Sequence, residues 1–319
     1  MRKIFTLFVA ALCCASMFAT EGALTGKFSV NEQGHQIVFS QGNLQYYADG
    51  NLYRFATNQY DTIGAANVSA DEKVMSNLID LFCWGTGNNP MGTAKNGDDF
   101  STFTDWGVNP IFNGGNKANL WRTITQAEIQ YILEERTNAI NLVGLGTVNG
   151  VHGIILLPDA WQLPQGLSFY SCSSYTEASE NLYDANIYSE LQWIQMEYAG
   201  AVFLPAAGYR YWKHDIPGLE HYQLQSVNEL ATYWTSTSTI EYEQLAGCSF
   251  GFGTWQTCAS PYGEHWPNFG CSVRLIADIW PEGIDNTSAD TKATKRIVNG
   301  QLLLEKNGHT YNAQGAEVK

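Results

Sequence analysis

Apolar and polar positions alternate along this 319-residue chain with two different periods, and the change from one to the other locates its elements. From residue 26 to 63 apolar residues recur at every second position in short bursts: Phe28 and Val30, Ile37 and Phe39, Leu44 and Tyr46, Tyr53 and Phe55. That is the pattern of half-buried antiparallel strands. Asp49-Gly50 predicts a hairpin turn between residues 44–47 and 52–56, because both residue types tolerate positive φ. Asn149-Gly150 predicts another between residues 143–148 and 151–157. Helical periodicity occurs in only two places. Thr125 with Glu128 forms a capping box, and Ile129, Ile132 and Leu133 make the buried stripe of a helix predicted over residues 126–136. Ser189 caps a second helix in which Leu191, Ile194 and Tyr198 share the face predicted to be buried, and Gly200 supplies a left-handed stop. Residues 85–119 show no period and are rich in Gly, Asn and Asp, which reads as a long loop. Two helices set against a loop-rich antiparallel β framework predict the α+β class.

The ends of the chain follow different rules. Arg2 and Lys3 precede an apolar run over residues 4–19 that is short for a membrane span, so residues 1–20 read as a signal peptide. Neither Cys13 nor Cys14 follows the small residue that a lipobox requires. No later apolar run approaches the length of a transmembrane segment, so the mature chain is expected to be exported, either released or held at the outer-membrane surface. Residues 281–295 are polar and aperiodic, the composition of a linker. Beyond them Asn299-Gly300, Asn307-Gly308 and Gln314-Gly315 punctuate short segments, which predicts a small β tail over residues 296–319. One domain over residues 24–280, including an N-terminal β extension, accounts for the rest.

Acidic residues outnumber basic ones 31 to 17, for a formal net charge of −14. Binding to phosphate backbones draws on clustered Lys and Arg, so nucleic acid is excluded as a partner. Of seven cysteines, Cys83, Cys172, Cys248, Cys258 and Cys271 lie beyond the signal. In an exported chain two disulfides and one free thiol are allowed, and spacing does not choose the pairing. The matched alternation of residues 248–252 and 271–275 favours a Cys248–Cys271 cross-link, with Cys83 and Cys172 as buried small residues.

Four segments carry a resemblance. Residues 200–210 read GAVFLPAAGYR, 233–238 read YWTSTS, 270–276 read GCSVRLI, and upstream 121–128 read WRTITQAE. In this order they resemble the C-type-lectin-like fold of bacterial secreted proteins. That superfamily includes formylglycine-generating-enzyme-like domains, the variable ligand-binding proteins of diversity-generating retroelements and paralogous surface domains of Gram-negative bacteria. The resemblance covers roughly residues 28–276 and implies fold and setting more than ligand. Residues 296–319 also resemble the C-terminal sorting tails read by the type IX secretion system, which implies export machinery as a partner and passage through the outer membrane.

Candidate chemistry is sparse. The formylglycine-generating relatives use a closely spaced reactive cysteine pair ahead of a Gly-Phe-Arg segment. Arg274 matches that arginine, but Cys248 and Cys258 are too far apart to match the pair. Asp98, Asp99 and Asp105 in the long loop are potential oxygen ligands for calcium, and His214, Asp215, Glu220 and His221 are potential ligands for a transition metal. Neither set has the converging spacing of a site, so no metal and no cofactor is assigned. Aromatics remain. Ten tryptophans and seventeen tyrosines are many for this length, and several sit in turn-rich contexts where rings form rigid platforms for sugar faces or protein contacts. Trp121, Trp161 and Trp234 lie inside the resembling motifs and are expected in the core. The resemblance to the retroelement proteins places the ligand surface just before the closing strand. Tyr211, Trp212, His214, Trp255, Tyr262 and Trp266 are therefore the expected ligand-binding residues. The chain reads as a secreted or cell-surface, non-enzymatic binder of a glycan or an extracellular protein. A formylglycine-generating-type oxidoreductase and a structural or fimbrial-associated subunit are the alternatives.

Overall fold

The computed structural model describes residues 20–174, 182–253, 258–279, 294–298, 301–306 and 309–312. The expected signal peptide over residues 1–20 lies almost wholly outside these residues, as does the linker except for its last two positions. The chain separates into a unit ending at Ile279 and a second beginning at Trp280.

The first unit opens with a hairpin, β1 (Phe28–Ser29) on β2 (Gln36–Phe39), followed by a second, β3 (Leu44–Tyr47) on β4 (Leu52–Phe55). The Asp49-Gly50 turn thus lies where its residue types predict. Short strands β5 (Leu78–Ile79) and β6 (Leu81–Phe82) precede the long loop, and β7 (Arg122–Thr123) follows it. The loop is more ordered than its composition suggests. Asp105 caps a 3-10 turn at Trp106–Val108 by accepting from the Gly107 amide, and the Trp106 ring is fully buried.

Helix α1 (Gln126–Gln130) begins at the Thr125/Glu128 capping box and continues as a π-helical turn over Tyr131–Glu135. The turn closes with the Arg136 amide donating to the Tyr131 carbonyl at 2.9 Å. Strands β8 (Val143–Val148) and β9 (Val151–Leu156) form the hairpin across Asn149-Gly150, joined by β10 (Ile187–Tyr188) at one edge. Helix α2 (Glu190–Tyr198) starts on the Ser189 cap and stops at Gly200, whose φ is 99°. Strand β11 (Val202–Pro205) returns to the far edge of the β8–β9 sheet.

A hairpin of β12 (Tyr209–Lys213) and β13 (His221–Gln225) leads into β14 (Leu230–Glu241), β15 (Gln244–Gly253) and β16 (Ala259–His265). With β17 (Cys271–Ser272) and β6 these make a five-stranded sheet in the order β16-β15-β14-β17-β6. The last strand of the unit, β18 (Leu275–Ile279), lies between β2 and β7, so the last strand closes on the N-terminal hairpin through β2. Strands segregated from two helices make this an α+β structure. The second unit contains β19 (Thr294–Val298), β20 (Gln301–Lys306) and β21 (His309–Asn312) in an antiparallel meander. Its first strand begins two residues inside the stretch expected to be linker.

A buried arginine locks the closure. The Arg274 side chain is 1% exposed and donates to Asn43 Oδ1 at 3.3 Å and Gln59 Oε1 at 3.2 Å. Gln59 in turn donates to Glu197 Oε2 at 2.9 Å, tying the residue just before β18 to the end of α2. Burial lowers the Arg274 pKa to about 10, which leaves it charged at neutral pH.

Two expectations are corrected. Leu191, Ile194 and Tyr198 are 75%, 56% and 88% exposed, whereas Trp193 and Met196 form the buried face of α2. The helix carries apolar residues on opposite sides, so periodicity picked out a genuine stripe on the wrong side. The disulfide joins Cys172 to Cys258, with a Cα–Cα distance of 5.6 Å, and Cys83, Cys248 and Cys271 are free and buried. Cys248 and Cys271 cannot pair, because β14 runs between β15 and β17. Two strand spacings put them about 10 Å apart, beyond the ~7 Å Cα reach of a disulfide.

Candidate ligand-binding groove

The segment joining β16 to β17, residues 266–270, is held by backbone contacts, with the side chains of residues 266–269 partly exposed. The Pro267 carbonyl accepts from the Trp84 amide at 2.8 Å, and the Asn268 carbonyl accepts from the Cys83 thiol at 3.2 Å. Gly270 then exchanges both backbone hydrogen bonds with Arg210, at 2.8 and 2.6 Å. Glycine allows this close approach. A Cβ would stand 2.7 Å from Arg210 Nη2, so the guanidinium lies against the bare backbone. Arg210 itself is 1% exposed, donates to the Leu81 carbonyl and rests 5.2 Å from the Tyr222 ring centroid.

Above this anchor the rings of Tyr209, Tyr211, His265 and Phe269 stack nearly parallel, with centroids 5.6–6.5 Å apart. Trp234 meets His265 edge-on at 6.1 Å. Such an array is rigid, since each ring is fixed by the next. Burial pulls the His265 pKa below its ordinary 6.5, so the imidazole is neutral at physiological pH.

The long loop supplies the opposite wall. Asp98 accepts from the Thr93 amide at 2.8 Å and folds residues 93–98 into a turn. Lys95 lies 5.1 Å from the Trp212 ring centroid and donates to the Lys73 carbonyl. Between this loop and residues 266–268 runs an open groove of about 460 Å³, with Gln244 and Leu245 also lining it. Trp266 and Phe100 provide its rings, while Asp98, Ser101, Gln244 and Asn268 provide its polar groups. Asn268 Oδ1 is buried and accepts no hydrogen bond among the described residues. A buried acceptor without a donor is costly.

The expected site residues divide. Trp266 lines the groove, and Trp212 borders the same loop through Lys95, packing edge-on against Tyr222 at 4.8 Å. Tyr211 stands behind the groove, stacked on Phe269 with its hydroxyl on Gln223. His214 is exposed on the β12–β13 loop, its Nδ1 3.4 Å from the Trp212 carbonyl. Tyr262 belongs elsewhere. It points from β16 to the π-helical turn and donates to Glu134 Oε2 at 2.5 Å, a bond that raises its pKa. Trp255 lies outside the described residues. Phe100, Ser101, Gln244 and Asn268 were not singled out by sequence, and Asp98 only as a potential calcium ligand, because no local pattern links the long loop to the β14–β15 turn and residue 268.

Several of the candidate metal ligands are occupied by local bonds. Asp99 accepts from the Ser101 amide and hydroxyl, Asp105 caps the Trp106–Val108 turn, and Glu220 accepts from the Gly218 amide. Among the described residues no three such side chains converge. The three free thiols share one electrostatic character: burial raises the pKa of Cys83, Cys248 and Cys271. Each is therefore held as the protonated, weakly nucleophilic form. No protein-family model, curated protein or solved structure matches this chain.

Proposed function

We propose that this chain is an exported binding protein with a C-type-lectin-like fold, displayed on or released from the surface of a Gram-negative bacterium. Its ligand is a glycan or an extracellular protein held in the groove between residues 94–101 and 266–268. The observation that carries the reading is the pairing, in one groove, of two aromatic rings, Trp266 and Phe100, with the polar side chains of Asp98, Ser101, Gln244 and Asn268. Ring faces recognise the apolar face of a sugar or an aromatic anchor of a protein, and the polar side chains beside them offer hydrogen-bond partners to the same ligand. The protonated, buried free cysteines favour binding over thiol chemistry.

The test is a glycan array probed with the mature chain, run beside a pull-down from bacterial envelope and host extracellular fractions. Binding that is lost when Trp266 becomes Ala supports the groove. Binding that persists undiminished in that variant refutes it. A second reading, a subunit of a surface assembly, is favoured by the outward stripe of Leu191, Ile194 and Tyr198 on α2, because exposed apolar patches mark protein contacts.

A further inference from the structure

A second cavity opens where the end of the π-helical turn meets β1, β2 and the loop after β9. It encloses about 650 Å³, within the usual ~300–1,000 Å³ of small-molecule sites, and is lined by Trp161, Tyr131, Thr137, Asn138, Asn141 and Gln36 around an Arg136–Asp159 pair. Nothing in the groove described above uses these residues.

The charges at its base are already matched. Arg136 is 3% exposed and donates to Asp159 Oδ1 at 3.1 Å, the Leu157 carbonyl at 2.9 Å and the Ile132 carbonyl at 2.8 Å, while its flat face lies 5.2 Å from the Phe28 ring centroid. Asp159 Oδ2 accepts from the Ser29 amide, the Ser29 hydroxyl and Gln36 Nε2. Burial raises the Asp159 pKa, but the bonds from Ser29, Gln36 and Arg136 outweigh it and keep the carboxylate ionised. The lining includes no second cation or carboxylate. An anion would find one guanidinium already neutralised, and a cation one carboxylate already saturated with donors.

The rim is built from neutral amides that are oriented in advance. Ser171 and Ser173 hydroxyls are 2.7 Å apart, Ser173 donates to Asn141 Oδ1 at 2.7 Å, and Asn141 Nδ2 donates to Asn138 Oδ1 at 2.6 Å. This relay starts on either side of Cys172, whose disulfide to Cys258 fixes the segment. It ends at Asn138, held in the left-handed conformation with φ 64°. Asn138 and Asn141 are exposed, so folding does not require their amides to be aligned. Fixing exposed donors in this way lowers the entropy lost when a ligand is bound. Beside them Trp161 offers a half-buried indole.

From these features we infer that the cavity is a second binding site, for a neutral saccharide of one or two rings. A neutral polyol with one apolar face matches an indole wall, fixed amides and hydroxyls, and a charge-compensated base. The inference stands apart from the proposed groove and uses none of its residues.

Titration of the intact mature chain with methyl glucoside, methyl galactoside, methyl mannoside and N-acetylglucosamine tests it, with glucuronic acid and glucosamine as charged counterparts. The readouts are calorimetry and the Trp161 indole N–H resonance. At least one neutral probe is expected to shift that resonance saturably and to bind more tightly than either charged one. Trp161→Ala should weaken it about fivefold or more, as should Asn141→Ala, while Trp266→Ala leaves it unchanged. If Trp161→Ala lowers the melting temperature, the exposed Asn141→Ala variant decides alone. The inference is overturned if no neutral probe moves the resonance, if the charged sugars bind as well, or if Trp266→Ala abolishes the effect. Loss of the groove reading would leave these outcomes untouched.

Discussion

His265 shows how one residue couples the aromatic array to pH. Its ring stacks on Tyr209 and Phe269, and burial depresses its pKa below the value it has in the unfolded chain. The unfolded state therefore binds the proton more readily, so His265 favours folding above pH 6.5 and opposes it as the pH falls through and below that value. Melting temperature measured from pH 7.5 downward should begin to drop near pH 6.5, before the carboxylates titrate. In His265→Phe the portion of the fall that begins near pH 6.5 should shrink. An unchanged profile in that variant would mean that His265 is solvated in the folded state. Gly270 makes the complementary point by steric means: Gly270→Ala should displace the Arg210 guanidinium and destabilise the unit by about 1–3 kcal/mol in chemical denaturation.

Helix α2 separates what sequence conveys about an element from what it does not. Its boundaries were legible, because Ser189 and Gly200 act through their own local geometry. The same holds for the hairpin at Asn149-Gly150, where both residues take positive φ, whereas in the turn at Asp49-Gly50 the positive φ falls on the next residue, Asn51. The buried face was not legible, since Leu191, Ile194 and Tyr198 compete with Trp193 and Met196 and only tertiary contacts choose between them. The choice has a measurable consequence. Trp193→Ala removes a fully buried ring and should cost about 3–5 kcal/mol in chemical denaturation. Leu191→Ala, on the outward side, should stay within about 0.5 kcal/mol of the parent. Equal costs would show that the outward stripe is covered in solution. For the groove the same limit applies more strongly: Trp266 stood out by its setting, whereas Asn268, Gln244 and Asp98 acquire meaning only once β14–β15 and the long loop are adjacent.

Across the whole molecule, cross-links decide how stability is shared. The Cys172–Cys258 disulfide closes a loop over 86 positions of sequence separation, and constraining such a loop typically stabilises by about 2–4 kcal/mol. Reduction, or the Cys172→Ala/Cys258→Ala double variant, should lower stability by that order, whereas Cys248→Ser should not change the number of disulfides. Peptide mapping by mass spectrometry under non-reducing conditions checks the pairing, and a Cys248–Cys271 peptide would contradict the sheet order. The five-stranded sheet and the long loop that face the groove belong to one unit, so ligand binding is a property expected of residues 20–279 without the second unit.

The most direct test of the account is an affinity comparison on the mature chain between Trp266→Ala and Tyr262→Phe, using whichever ligand the array identifies. Trp266 lines the groove, whereas Tyr262 is tied to Glu134 on another surface. The account predicts that Trp266→Ala weakens binding by about fivefold or more with an unaltered melt, and that Tyr262→Phe leaves affinity as it was. Equal affinity in the parent and Trp266→Ala, or loss of binding in Tyr262→Phe alone, would place the ligand elsewhere and contradict it.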